Sequence, residues 1–286
     1  MKDSTLKTRI LAACLVWSLL SAGLLAQGRK LFVVHTSDTH SCIEPISPNF
    51  SDSTQADKGG YLRRAALLRQ LREEYPRNLL LFDCGDFSQG SLYYTLFKGD
   101  VEVKLMNEMK YDACTIGNHE FDFGLDNMAR IFRLANFPIV CSNYDCTGTV
   151  LEGLVKPYIT LKRNGVKIGV FALSPALKGL VFDGNCEGLV YLDPAETAQK
   201  YIDLLRKQEK CDVVICISHL GWKDSEYTDE QMLQGVEGCD LVLGGHTHTY
   251  MKELEYAPDK TGKQIPVDQN GKHGAFIGKL LLNLEK

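Results

Sequence analysis

Gly117-Asn118-His119-Glu120-Phe121-Asp122 packs an amide, an imidazole and two carboxylates between a predicted strand and a predicted helix. The strand is the short, apolar, β-leaning run Tyr111 to Ile116. The helix spans Leu125 to Ala135, with Leu125, Met128, Ile131 and Phe132 on one face. Polar side chains gathered where a strand ends are where open α/β sheets bind ligands. A turn whose Asn and Asp satisfy local backbone groups would carry the same residue types, so the other strand ends have to separate the two readings.

Upstream, Leu31 to Thr36 is a compact apolar run leading into Ser37-Asp38-Thr39-His40. In an extended segment residues i and i+2 point to one side, so Asp38 and His40 can reach a single metal ion. Leu79 to Phe82 empties into Asp83-Cys84-Gly85-Asp86, where Gly85 allows a sharp turn that leaves Asp86 exposed at the strand tip. Downstream, Val213 to Ile217 runs into Ser218-His219, and Leu241 to Leu243 runs into Gly244-Gly245-His246-Thr247-His248. Helices alternate with these strands. Gly59 to Tyr75 carries an apolar stripe of Leu62, Ala65, Ala66, Leu68 and Leu71, with Arg63, Arg64, Arg69 and Arg72 on a solvated face. A helix from Asp100 to Lys110 follows, and Pro194 to Lys210 opens after the N-cap Asp193. Phe137 to Ser142 reads as a strand, Tyr158–Leu161 and Val166–Leu173 as a hairpin turning at Asn164-Gly165, and Ile265 to Asn283 as two or three β segments.

Five strand ends thus carry Asp38/His40, Asp86, Asn118/His119, His219 and His246/His248; of seven histidines only His35 and His273 lie outside the series. A hydrophobic core gives no reason to place five histidines along one edge. The mixed Asp, His and Asn set suits zinc, manganese or iron and is too rich in imidazole for a calcium cage. There are ligands enough for two divalent ions.

The chain has 286 residues, 44% of them hydrophobic and 24% charged, so it can bury a sizeable core. Lys2, Lys7 and Arg9 precede an apolar run from Ile10 to Ala26, the order of a secretory signal peptide over residues 1–26, with an uncleaved anchor as the alternative. Leu11-Ala12-Ala13-Cys14 also resembles a lipoprotein box, but little apolar sequence precedes Cys14. Cleavage removes three cations and one anion, taking the formal charge from −4 to −6, which gives no support to nucleic-acid or anionic-membrane binding. Ten cysteines become nine. Most sit in apolar runs and read as buried small hydrophobes, with Cys141 and Cys146 spaced closely enough for a local bridge.

In the order Asp38-x-His40, Gly85-Asp86, Gly117-Asn118-His119-Glu120, His219 and Gly244-Gly245-His246-x-His248, these residues resemble the calcineurin-like metallophosphoesterase signature. The stretches around them resemble the secreted 5'-nucleotidase and UDP-sugar hydrolase branch. The resemblance implies a four-layer α/β-β-α sandwich over residues 28–286, two packed sheets flanked by helices, with a dimetal site at the strand ends. Position by position it implies Asp38, His40 and His248 on one metal and Asn118, His219 and His246 on the other, with Asp86 bridging and a metal-activated water attacking phosphorus. His119 would stabilise charge on the phosphoryl group or protonate the leaving oxygen, held in its tautomer by Asp122. Glu120 and Asp83 would support the site from behind, and His35 is assigned no chemistry. Secreted 5'-nucleotidases carry a C-terminal domain that selects the nucleotide, and the sequence given stops at Lys286, where that domain would begin. Either a separately encoded partner completes the substrate site, or the chain acts alone with different specificity. The leading expectation is an exported, periplasmic or extracellular 5'-nucleotidase-like hydrolase. Cyclic-nucleotide or other phosphodiesterase and UDP-sugar hydrolase activities are the nearest alternatives, and an inactive metal-binding surface module is the alternative from another class.

Overall fold

The computed structural model describes residues 29–284; the signal-peptide reading of residues 1–26 lies outside them. In chain order the elements are β1 (Arg29–Thr36), α1 (Tyr61–Glu74), β2 (Leu79–Asp83), α2 (Leu92–Phe97), α3 (Asp100–Met109), β3 (Ala113–Cys114), α4 (Gly124–Phe132), β4 (Ile139–Val140), β5 (Tyr144–Asp145), β6 (Val155–Lys156), β7 (Tyr158–Arg163) and β8 (Val166–Leu173). After them come β9 (Val190–Tyr191), α5 (Pro194–Asp203), β10 (Val213–Ser218), α6 (Asp229–Gly235), β11 (Leu241–Leu243), β12 (Glu255–Pro258), β13 (Gln264–Asp268) and β14 (Gly278–Leu284). Two six-stranded sheets result, ordered β14-β1-β2-β3-β4-β6 and β12-β13-β11-β10-β8-β7.

Strand alternation builds four layers. In β1, Phe32 and Val34 face a core shared with α1, α3 and α4, while Leu31 and Val33 face a second core between the sheets. β10 and β11 repeat the division, with Val214, Cys216 and Val242 turned to α5 and α6, and Ile215, Ile217, Leu241 and Leu243 turned inward. Strands buried on both faces explain why their sequences are continuous apolar runs and do not alternate with polar residues. β1, β2 and β3 are parallel, as are β8, β10 and β11, so all five strands that precede polar turns end at one side of the sandwich. β14 returns antiparallel beside β1, pairing Arg29 with Leu284 and His35 with Gly278.

Several boundaries differ from the sequence reading. The strand expected over Tyr111 to Ile116 pairs only at Ala113 and Cys114, and helix α2 stands where none was expected. The helix opened by Asp193 ends its α-helical part at Asp203 and continues as a π-helical turn over Leu204–Gln208. On α1 the expected faces are rotated: Leu62 is exposed and Arg64 is buried beside Leu68 and Leu71. Arg72 is also turned in, donating to the carbonyls of Met109 and Lys110. All nine described cysteines are free, so Cys141 and Cys146 form no bridge; Cys141 is buried near Asn143 and Ser174 instead.

Candidate metal centre

Asp38, His40, Asp86, Asn118, His119, His219, His246 and His248 converge from the ends of β1, β2, β3, β10 and β11. The first sheet supplies Asp38, His40, Asp86, Asn118 and His119, and the second supplies the other three histidines. The turns after β1 and β2 are zipped together, with the amide of Asp38 donating to Gly85 O at 2.9 Å and that of His40 to Asp86 O at 3.0 Å. Five of these residues take left-handed backbone, with φ of 49° at Asp38, 44° at His40, 54° at Asp86, 74° at His246 and 54° at His248. Such conformations cost about 1–3 kcal/mol each in non-glycine residues and cluster where function requires the geometry. Asp86 is not at an exposed tip, as the sequence reading had it, but is 2% exposed beneath its neighbours. The close packing requires Gly117, where a Cβ would fall 2.1 Å from Asp86 Oδ1.

Three sets of donor atoms lie within 4.8 Å of one another: Asp38, His40 and His248; Asp86, His219 and His246; and His40, Asp86 and His119. Asp86 belongs to the last two sets and His40 to the first and last, so the sets share side chains. Asp38 Oδ2, His40 Nδ1, Asn118 Oδ1 and His219 Nε2 are buried without a hydrogen-bond partner. Of the ten orphaned buried atoms among the described residues, those of Asp38, Asn118 and His219 lie on adjacent ligand-type side chains and fit divalent cations, while His40 meets His248 through Nε2. His219 Nδ1 donates to Cys84 O at 2.6 Å, which leaves the Nε2 lone pair aimed at the cluster, 3.1 Å from Asp86 Oδ2.

The electrostatics follow from burial and charge. Burial disfavours the imidazolium form and pushes His40, His246 and His248 down to about 4, keeping them neutral as ligands must be. Burial acts the same way on His219, but Asp86 and Asp38 overcome it and raise its pKa to about 10. Asp38 is pushed up to about 7, chiefly by burial, while His219 holds Asp86 well below the usual carboxylate range against the burial penalty.

His119 sits at the rim, its Nδ1 3.2 Å from Asp122 Oδ2 and its amide donating to Asp86 Oδ1 at 2.9 Å. The hydrogen bond that its Nδ1 donates to Asp122 raises its pKa against burial. Glu120 points away from the cluster and accepts three backbone N–H groups, from Asp86 at 3.0 Å, Gly117 at 2.6 Å and Ser88 at 3.1 Å. Asp83 likewise accepts from Thr36 Oγ1 and the Gly85 amide. Sequence reasoning missed Gln269, whose Oε1 accepts the Thr249 amide at 2.6 Å and the Thr247 hydroxyl at 3.0 Å and thereby holds the loop bearing His246 and His248. Its signal was available: Asp268-Gln269-Asn270 is another polar triplet at the end of an apolar strand. A cleft of about 660 Å³ opens beside His246, walled by Leu180, Leu220, Tyr191 and Tyr227.

Two sandwiched α/β layers with an acid- and imidazole-rich centre at the strand ends define a metal-dependent phosphoesterase. The chain belongs to the calcineurin-like phosphoesterase family, whose profile matches residues 32–250. It is 30% identical to snake venom 5'-nucleotidase of Crotalus adamanteus over 93% of its length and 47% of that protein's. The crystal structure of the 5'-nucleotidase precursor from Thermus thermophilus superposes with a TM-score of 0.81 at 28% identity, covering 90% of this chain and 52% of that one. The calcineurin-like phosphoesterase YfkN from Bacillus subtilis superposes with a TM-score of 0.74 at 29% identity, covering 91% and 86%. The chain spans about half the length of the curated relatives it matches.

Proposed function

We propose that this domain hydrolyses phosphate monoesters of nucleosides, with Asp38, His40 and His248 holding one divalent ion, Asn118, His219 and His246 the other, and Asp86 shared. The observation that carries the reading is the set of orphaned, buried donor atoms on Asp38, Asn118 and His219 beside the facing Nε2 atoms of His40 and His248, next to the His119–Asp122 pair. When bound, two divalent ions neutralise phosphoryl oxygens and bring the pKa of water toward neutrality. The chain's own residues supply the rest. Asp122 accepts from His119 Nδ1 and favours the imidazolium form, in which Nε2 carries a proton it can give up. Water oxygen bonds to phosphorus as the ester P–O bond breaks, and the departing alcohol oxygen takes that proton. Left-handed backbone at Asp38, His40 and Asp86 holds their side chains at the strand ends before substrate arrives. The cleft beside His246 offers Tyr191 and Tyr227 to the alcohol half of the ester.

Export rests on the residues 1–26 pattern, and among the described residues no helix is long and apolar enough to cross a membrane. Because the chain spans about half the length of its relatives, a candidate partner domain is included in the assay. Purified protein supplied with manganese, zinc or iron, alone and with a candidate partner domain, is assayed against nucleoside 5'-monophosphates, UDP-sugars, cyclic nucleotides and an aryl phosphate. Metal-dependent release of phosphate, greatest from the monophosphates, is the expected result. Faster turnover of cyclic nucleotides or UDP-sugars would move the assignment to those classes, and no release from any substrate would leave a metal-binding module without catalysis.

A further inference from the structure

His35 is fully buried on β1, three residues before Asp38, and faces the layer between the sheets that Leu31 and Val33 fill with apolar atoms. Its polar contacts run to the second sheet. Nε2 lies 2.9 Å from Asp268 Oδ2, and Asn270 Nδ2 lies 3.0 Å from both Nδ1 and the His35 carbonyl. The fold makes room for the imidazole at Gly278 on β14, where a Cβ would fall 2.0 Å from His35 Nε2.

The segment that receives these contacts has a second face. Residues alternate sides in extended chain, so Asp268 and Asn270 reach His35 while Gln269 between them reaches the loop that carries His246 and His248. Gln269 accepts from Thr249 and Thr247 and donates to the Gly245 carbonyl, and the Asp268 carbonyl accepts the Gly244 amide at 2.8 Å. The ligand-type residues are divided between two sheets that meet at the site through the His246 amide on Asp38 Oδ1 at 3.0 Å and His219 Nδ1 on Cys84 O at 2.6 Å, while the layer behind them is filled by apolar side chains that fix no direction. We infer that His35, Asp268 and Asn270 form a positioning bracket that sets how far His246 and His248 stand from Asp38 and His40. The inference rests on the two-metal reading of the site.

Manganese titration read by electron paramagnetic resonance tests it, since the aquo-ion signal gives affinity and the exchange-coupled spectrum reports the spacing of two bound ions. His35→Ala and Asp268→Ala, each folded by circular dichroism, are expected to weaken binding about 10–100-fold, the range for partners that orient ligands, and to alter the coupled spectrum; His35→Gln restores part of both. Variants that lose thermal stability but keep native affinity and spectrum would overturn the bracket and leave His35 a packing residue. If His35→Ala does not fold, Asn270→Ser, which withdraws the contacts to His35 while keeping Asp268, decides by the same readout. A native protein that binds no pair of manganese ions overturns the two-metal reading and the bracket together, whereas native binding with unchanged variants overturns the bracket alone.

Discussion

His40 Nε2 and His248 Nε2 stand 2.9 Å apart with their rings crossed at 88°, although one residue comes from the first sheet and the other from the second. Two neutral imidazoles so placed share one proton, and a cation would engage both lone pairs. Metal is therefore expected to join the halves of the site. Chelation should lower the melting temperature, and readdition at 100 times Kd should restore about 2.7 kcal/mol. Scanning calorimetry with and without chelator checks this; a metal-independent transition would remove the cations from the fold's energetics.

His119 and Asp122 are expected to act in turnover with no role in metal retention. His119→Ala should lower kcat by about 10²–10⁴ with metal content unchanged by elemental analysis. Loss of metal along with activity would instead make His119 a ligand, as its proximity to His40 and Asp86 allows.

The pH profile gives a separate check on that pair. Asp122 raises the His119 pKa, so the imidazolium persists to higher pH than an isolated histidine would allow. If the protonated form is the acid, kcat/KM falls as pH rises through that pKa. Asp122→Asn lowers the pKa and should move the falling limb to lower pH. A limb that stays in place assigns it to another group.

Glu120 looks chemical in the sequence, yet its carboxylate is occupied by three amides under the site. Glu120→Ala leaves buried donors unsatisfied, at about 1–3 kcal/mol each, and should destabilise by at least ~3 kcal/mol in urea unfolding. Glu120→Gln, which retains one acceptor, should cost less. Equal costs would mean that the hydrogen bonds are not what the residue contributes.

Asp229, buried at the start of α6 beneath Gly244, is pushed up to about 7 by burial, against a hydrogen bond from Ser218. Its folded pKa lies above the ordinary 3.8, so the stability it contributes is present below that value and is lost as pH rises toward about 7. Asp229→Asn should therefore gain progressively on the native protein as pH rises from about 4 to 7, by up to about 4 kcal/mol. Parallel stability curves would contradict the shift.

Much of the site was legible because its residues are polar side chains where apolar runs stop, a pattern that needs no tertiary information. The same runs fit strands buried on both faces, which are uniformly apolar, while the four-layer arrangement was an implication of the resemblance to the calcineurin-like metallophosphoesterases. What the sequence did not disclose depends on three-dimensional placement. The roll of α1 put Leu62 outside and Arg64 inside, although the apolar stripe suggested the reverse. Asp86 looked exposed because Gly85 opens the turn, but the loops of neighbouring strands close over it. Glu120 stands behind the cluster as the resemblance implied, whereas the contacts of His35, which was assigned no chemistry, depend on which way the fold turns its side chain and what it meets there.

The pairing of Arg29 with Leu284 brings both ends of the described chain to the corner of the sandwich opposite the strand ends that carry Asp38 and His248. The donor cluster therefore opens at the end of the sandwich farthest from both described ends of the chain.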